Sequence, residues 1–225
     1  MSGATPSRLV FSDVDETLIR AKSMFEFLDF YLAERHGPAG LERSAQVRAE
    51  LLTQAAAGVP RADTNRTYYR IWAGAPVRHV ALAGRRWFAA AVRDPRFFHA
   101  DVLAALHAHR AAGAGLVLVS GAFAPIVDPI AEHVGAAHAE CTRLVARNGR
   151  YTGEIIGEPV IGPAKGERVR ALLRAYPAVS AANCYGYGDH LSDMPMLAEV
   201  GHPVIVGDDP GLRAGLPGAP VLAVA

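Results

Sequence analysis

The sequence predicts an α/β fold, with helices on both faces of a parallel sheet and a small all-helical domain beside it. Short apolar runs, each of strand length, alternate with amphipathic helical segments through the second half of the chain. By contrast, no strand pattern occurs between Lys22 and about Val92. We therefore expect a core domain of residues 1–20 and 93–225, with residues 21–92 as a helical insert.

The first element in chain order is a buried strand at residues 9–11, which runs into Asp13, Asp15 and Thr17. Breaks that contain Gly and Pro then separate four amphipathic helices, with Asp63 as a candidate N-cap of the third. The core resumes with alternating helices and strands, and Asn148-Gly149 is a hairpin signal. The predicted helices are 23–35, 39–57, 63–72, 77–92, 100–112, 123–134 (bent at Pro129), 165–175 and 194–200, and the later strands are 116–119, 142–146, 151–156, 183–187, 204–206 and 221–224.

Composition excludes several classes of protein. The 225 residues are 51% hydrophobic and 20% charged, with a net charge of +1, which gives no electrostatic reason to expect nucleic acid or an anionic membrane as a partner. The two cysteines, Cys141 and Cys184, are too few for a disulfide framework and indicate a reducing compartment. We find neither a signal peptide nor an apolar run long enough to span a membrane, and we expect a cytoplasmic protein.

Polar residues recur where strands end or helices begin. Asp13 and Asp15 follow the first strand, and two carboxylates this close indicate either a bound cation or paired acid/base chemistry, although a solvated acidic turn would look the same. Ser120-Gly121 is predicted at the start of a helix, as an anion site or a simple N-cap. Lys165 opens another helix, where a cation opposes the helix dipole. Asp189 and Asp193 either converge on a cation or cap a helix.

Taken in order, these residues resemble the motifs of the haloacid dehalogenase superfamily of phosphohydrolases. Asp13-Val14-Asp15-Glu16-Thr17 is similar to its first motif DxDxT, Ser120 to the second, Lys165 to the third, and Gly188-Asp189 with Asp193 to the fourth, GDxxxD. The helical insert lies where this family places its type 1 cap. Segments 120–135 and 143–167 most resemble the phosphoserine phosphatase branch. The resemblance implies a Rossmann-like core and a mobile cap that closes over the site.

The resemblance also implies a role for each residue. Asp13 would be the nucleophile that forms an aspartyl phosphate, and Asp15 would be the general acid and base. Mg²⁺ would be held by Asp13, by Asp15 through its backbone carbonyl, and by Asp189, with Asp193 an accessory acid near the metal. Phosphate would be bound by Thr17, Ser120, Gly121 and Lys165.

Substrate selection is predicted from two further observations. Lys22 stands where phosphoserine phosphatases carry a glutamate for the substrate's amino group, and GDHLSD replaces GDGAND. Both differences argue against phosphoserine and favour a hydroxyl-rich or anionic metabolite, unless Lys22 is simply a solvated hinge residue. Arg70, with Arg66, Tyr68 and Tyr69, either contacts the substrate or forms the outer face of a helix, and we favour the outer face. His190 is interpreted as a packing or supporting residue.

The sequence thus predicts a Mg²⁺-dependent hydrolase of a small phosphorylated metabolite. Two alternatives stay open: transfer of the phosphoryl group to an acceptor alcohol through the same intermediate, and a non-catalytic module that binds a phosphorylated ligand. A halide-releasing hydrolase is disfavoured, because Asp15 would have no oxygen leaving group to protonate. The oligomeric state is not predicted.

Overall fold

A computed structural model describes residues 6–224 and shows a six-stranded parallel sheet. The strands lie in the order β3-β2-β1-β6-β7-β8, and every neighbouring pair is parallel. A separate antiparallel hairpin is formed by β4 and β5. The strand bounds are β1 Leu9–Ser12, β2 Gly115–Phe123, β3 His138–Thr142, β4 Leu144–Arg147, β5 Arg150–Ile155, β6 Tyr185–Gly188, β7 His202–Val206 and β8 Val221–Leu222.

Helices cover both faces of the sheet because successive residues of its central strands point to opposite sides. Val10 of β1 packs with α5 and α6 in one cluster, whereas Leu9 and Phe11 pack with α7 and α8 in the other. The predicted fold class is therefore confirmed. The helix bounds are α1 Ser23–His36, α2 Pro38–Ala56, α3 Arg61–Arg70, α4 Val77–Ala91, α5 Ala100–Ala111, α6 Ala124–Val134, α7 Pro163–Ala175, α8 Met194–Leu197 and α9 Pro210–Gly215.

The first four helices lie between β1 and α5, as the pattern predicted. The chain segments that enter and leave this helical insert are paired: Arg20 N donates to Phe97 O (2.9 Å), and His99 N donates to Leu18 O (3.0 Å). The division at residues 20/21 and 92/93 stays a prediction, and residues 1–5 and 225 of the predicted core domain lie outside the described residues.

The insert is packed firmly on the core through α4 and α6. A Cβ atom at Gly84 of α4 would lie 1.8 Å from the carbonyl oxygen of Pro125 in α6, so only glycine allows the two helices to approach this closely. Phe27 and Trp72 of the insert stack on each other and contact Phe123 of the core. Movement of the whole insert away from the sheet would break this shared apolar contact.

Several predicted boundaries were wrong. The single strand expected at 142–146 is the end of β3 and most of β4, which belong to different sheets. The strand β3 and the helix α9 were both missed, since His138–Thr142 has little apolar character and Pro210–Gly215 is only six residues long. Asp63 is not an N-cap, because α3 begins two residues earlier, after Pro60. Within residues 6–224, no helix is long and apolar enough to cross a membrane.

Candidate active site

The carboxyl end of the sheet gathers the residues that the motifs predicted. The central strand β1 pairs with β2 on one side and β6 on the other, so Asp13 after β1, Ser120 within the last part of β2 and Asp189 after β6 lie at the same edge of the sheet. Lys165 reaches the same place from the first turn of α7. One cavity of about 360 Å³ is lined by Asp13, Asp15, Ser120, Gly121, Lys165 and Asp189, so residues from four distant segments share one pocket.

The side chain of Lys165 is buried between two carboxylates. Its Nζ lies 2.5 Å from Asp13 Oδ1 and 2.6 Å from Asp193 Oδ1. The other oxygen of Asp193 accepts hydrogen bonds from the backbone N–H groups of Asp189 and His190, both at 3.2 Å. Asp193 therefore fixes Lys165 and the loop after β6, and neither of its oxygens is without a donor.

Thr17 does not line the cavity, and its predicted part in phosphate binding stays a prediction. Its side chain is fully buried, and its hydroxyl donates to Asp189 Oδ1 at 2.6 Å, with Asp13 Oδ2 at 3.5 Å. Thr17 thus links the two acids from below the cavity. The sequence could not indicate this role, because the partner lies 172 residues away in the chain.

Ser120 and Gly121 are in a strand, whereas a helix start was predicted. The pairing of β2 with β3 shifts between Ser120 and Phe123, a bulge of the kind that re-aims groups beside active sites. The α6 helix begins only at Ala124, so its N-terminus is not formed by Ser120. The hydroxyl oxygen of Ser120 accepts from Ala122 N at 3.0 Å, which leaves its proton available for an anion in the cavity.

Three donors meet at the carbonyl oxygen of Gly121. Tyr69 Oη donates at 2.6 Å and Asn65 Nδ2 at 3.3 Å, both from α3 of the insert, and Thr142 Oγ1 donates at 2.9 Å from β3. A carbonyl has two lone pairs, so this one is fully used. The insert is therefore hydrogen-bonded directly to the backbone of Gly121, a residue predicted to bind phosphate.

The electrostatics of the site show an excess of negative charge. Burial, together with the charges of Asp193 and Asp189, raises the pKa of Asp13 in spite of Lys165. Burial also raises the pKa of Asp15 to about 7 and that of Asp189 to about 6. Burial opposes the charge on Lys165, but the carboxylates of Asp13 and Asp193 outweigh it and raise its pKa.

This donor set fits a hard divalent cation. Carboxylate oxygens of Asp13, Asp189 and Asp193 lie within 4.8 Å of one another, and oxygen ligands are those that Mg²⁺ prefers. A cation there would favour the ionised carboxylates and so oppose the burial and the repulsion that raise these pKa values. Asp13 and Asp189 are the better candidates as ligands, since both oxygens of Asp193 already accept hydrogen bonds.

Of the two residues predicted to select the substrate, Lys22 lines the cavity and Arg70 does not. Lys22 lines the cavity and pairs with Glu16 at 3.3 Å, both side chains being largely exposed. Arg70 does not line it, because it lies exposed at the far end of α3 beside Gly153 of β5.

The sequence analysis missed Arg61 of α3, whose Nη1 donates to His190 Nδ1 (2.9 Å) and Ser192 Oγ (3.2 Å) across the cavity. His190 and Ser192 are residues at which GDHLSD departs from GDGAND.

Comparisons with known proteins agree with this fold. Residues 10–198 match the family model of the haloacid dehalogenase-like hydrolases. A probable phosphatase of Mycobacterium tuberculosis is 42% identical over 130 residues, or 55% of this chain and 42% of that protein. A protein for inhibition of morphological differentiation from Streptomyces azureus is 36% identical over 121 residues, or 53% and 43%. The chain thus matches less than half the length of these two relatives.

Solved structures show the same architecture across the whole chain. A Bordetella pertussis protein of unknown function is 26% identical and superposes with a TM-score of 0.83, covering 97% of this chain and 99% of that one. A phospho-aspartyl intermediate analogue of phosphoserine phosphatase is 20% identical, with a TM-score of 0.69 and coverage of 97% and 93%.

Together, the parallel sheet, the acid cluster at its carboxyl end and the family match define a hydrolase-type fold with four helices inserted between β1 and α5. The chain belongs to the haloacid dehalogenase-like hydrolase family.

Proposed function

We propose that the chain is a Mg²⁺-dependent hydrolase of small phosphomonoesters that works through an aspartyl phosphate on Asp13. The observation that carries this proposal is the convergence of Asp13, Asp15, Ser120, Lys165 and Asp189 on one cavity. Each of these side chains has a chemical use in phosphoryl transfer, whereas a module that only binds phosphate has no need of paired acids.

In the first half of the proposed reaction, a carboxylate oxygen of Asp13 attacks phosphorus, and the bond from phosphorus to the ester oxygen breaks. Asp15 donates its proton to the departing alkoxide. Its pKa of about 7 keeps a large fraction of the carboxyl protonated at neutral pH, as a general acid requires. Lys165, 2.5 Å from Asp13, favours the ionised form of the nucleophile.

In the second half, Asp15 removes a proton from a water molecule, and the water oxygen attacks phosphorus. The bond from phosphorus to Asp13 breaks, which restores the carboxylate and releases inorganic phosphate. The Ser120 hydroxyl, the Gly121 N–H and the Lys165 ammonium hold the phosphoryl oxygens. Mg²⁺, held by Asp13, the Asp15 backbone carbonyl and Asp189, would neutralise charge on the phosphoryl group.

The direct test is release of phosphate from p-nitrophenyl phosphate with Mg²⁺ and with a chelator. We expect turnover only with the metal. No release from any phosphomonoester would favour the non-catalytic module. Addition of acceptor alcohols, with the phosphoryl group followed to its product, distinguishes hydrolysis from transfer: a transferase would yield a new phosphoester in place of free phosphate.

A further inference from the structure

The wall of the cavity that belongs to the insert has an apolar part, which is formed by α1 and α2. The acids, Lys165 and Ser120 form the core side, which is sufficient for the phosphoryl group. The opposite side, where a leaving group would lie, is formed by Met24 and Phe25 of α1 and by Leu51, Leu52 and Ala55 of α2.

Polar side chains of the insert that also line the cavity are already engaged within the protein. Tyr68 Oη donates to Met24 O at 2.8 Å, and Thr64 Oγ1 donates to Arg61 O at 3.0 Å. Asn65 donates to Gly121 O, although its own Oδ1 is buried without a donor. The two cations have partners as well, Arg61 on His190 and Lys22 on Glu16.

We propose, on the basis of the function proposed above, that this apolar wall binds the leaving group and that the substrate is a phosphomonoester of a small alcohol with an alkyl group. The wall is continuous with the phosphate site, so one molecule occupies both. Leu52 is 58% exposed at this wall, and an alkyl group laid against it would remove apolar surface of both partners from water.

The same wall disfavours a phosphorylated amino acid. Its ammonium and carboxylate would lose hydration against the apolar side chains of α1 and α2, and unpaired burial of charge is costly. The volume of about 360 Å³ is near the lower end of the range for ligand sites. It therefore suits a phosphate with one short chain rather than a nucleotide.

The test is a series of n-alkyl phosphates from ethyl to hexyl, with phosphoserine alongside, at saturating Mg²⁺. These alcohols are almost equal as leaving groups, so the dependence of kcat/KM on length reports contact with the wall. We expect kcat/KM to rise about two- to fourfold per added methylene, and hexyl phosphate to exceed phosphoserine.

A matched pair of variants locates the effect. Leu52→Gln places a polar group at the wall, and Leu41→Gln makes the same change at a 49% exposed leucine of the same helix that does not line the cavity. We expect Leu52→Gln to flatten the dependence of kcat/KM on chain length. Leu41→Gln should retain the wild-type slope.

A second readout separates this proposal from the proposed function. The n-alkylphosphonates carry a C–P bond that is not hydrolysed, so their binding with Mg²⁺ can be measured by calorimetry without turnover. Affinity that rises with chain length, and is lost in Leu52→Gln, would support the apolar site even if no ester were hydrolysed. A flat series, an unchanged slope in Leu52→Gln, or faster hydrolysis of phosphoserine would overturn it.

Discussion

The ion pair between Lys165 and Asp13 favours the ionised form of the carboxyl that we propose as the nucleophile. Asp13 is buried beside two other acids, and these surroundings favour its protonated form, whereas Lys165 at 2.5 Å favours the carboxylate. Asparagine at position 13 keeps the shape of the side chain but removes the nucleophilic oxygen. We expect Asp13→Asn to lower kcat at least about 1,000-fold, measured as phosphate release, with a Tm within a few degrees of wild type.

The control for this variant is Asp208→Asn, which removes a carboxylate that is 82% exposed and outside the cavity. It should retain full activity. Turnover by Asp13→Asn close to the wild-type rate would mean that another group attacks phosphorus.

Lys22 places a positive charge at the cavity, and we expect this charge to influence which leaving groups the site accepts. Lys22→Glu would place two acids, with Glu16, at the rim of the cavity and attract cationic leaving groups. We expect kcat/KM for phosphoethanolamine relative to glycerol phosphate to rise up to about tenfold, with p-nitrophenyl phosphate little changed. A substrate profile identical to that of wild type would show that Lys22 has no part in selection.

At this scale, the sequence indicated residues whose spacing within a motif carries the chemistry, such as Asp13 and Asp15. It did not indicate contacts made across the chain. Thr17 bonds to Asp189, 172 residues away, and Arg61 bonds to His190, 129 residues away. No local pattern in the sequence indicates either contact.

At the scale of elements, hydrogen bonds to the Gly121 carbonyl join α3 to the last part of β2. Tyr69→Phe removes the shortest of its three hydrogen bonds, which is expected to lower stability by about 1 kcal/mol. Because the peptide would then be less well fixed, we also expect kcat to fall several-fold. Thermal unfolding and steady-state kinetics measure the two effects.

Tyr68→Phe is the matched control for Tyr69→Phe. Tyr68 is an equally buried neighbour whose hydroxyl binds Met24 O instead. It should lose similar stability but retain kcat. Equal loss of kcat in both variants would mean that the hydrogen bond to Gly121 has no special role.

The close packing of α4 on α6 requires glycine at position 84. Glycine to alanine within a helix usually stabilises by roughly 0.5–1 kcal/mol. At Gly84 we expect alanine to lower the free energy of unfolding instead, because the added Cβ meets the Pro125 carbonyl oxygen at 1.8 Å. We expect Gly84→Ala to destabilise by about 1–3 kcal/mol, seen in denaturant unfolding, and a rise in stability would contradict the close approach.

Most elements were predictable because their apolar periodicity is local. The strand β3 was not, since His138–Thr142 is an edge strand held by its pairing with β2 rather than by an apolar run. The bulge at Gly121 was also hidden, because a serine and a glycine before a helical pattern fit a helix start equally well.

For the whole molecule, the raised carboxyl pKa values link stability to pH and to metal. Between about pH 4 and pH 7, the folded protein retains protons on Asp13 and Asp15 that the unfolded chain releases. The contribution of these groups to the free energy of unfolding therefore falls as pH rises through this window. Mg²⁺ competes with those protons, so it binds better once they have left.

We therefore expect Mg²⁺ to raise Tm by several degrees at pH 7.5 and by much less at pH 5.5. The difference in Tm with and without metal is the quantity to compare. His99, which is buried, and His109, which is half-buried, have lowered pKa values and affect both samples alike. An equal rise at the two pH values would place the metal away from these acids.

The paired segments at the base of the helical insert allow the insert to change in length and sequence. Because the backbones of Arg20 and Phe97 are hydrogen-bonded where the chain enters and leaves the insert, the helices between them can lengthen, shorten or be exchanged without shifting the register of β1. The residues at the carboxyl end of the sheet and the helices of the insert can thus diverge at separate rates, as long as the insert still covers Phe123 and its apolar neighbours.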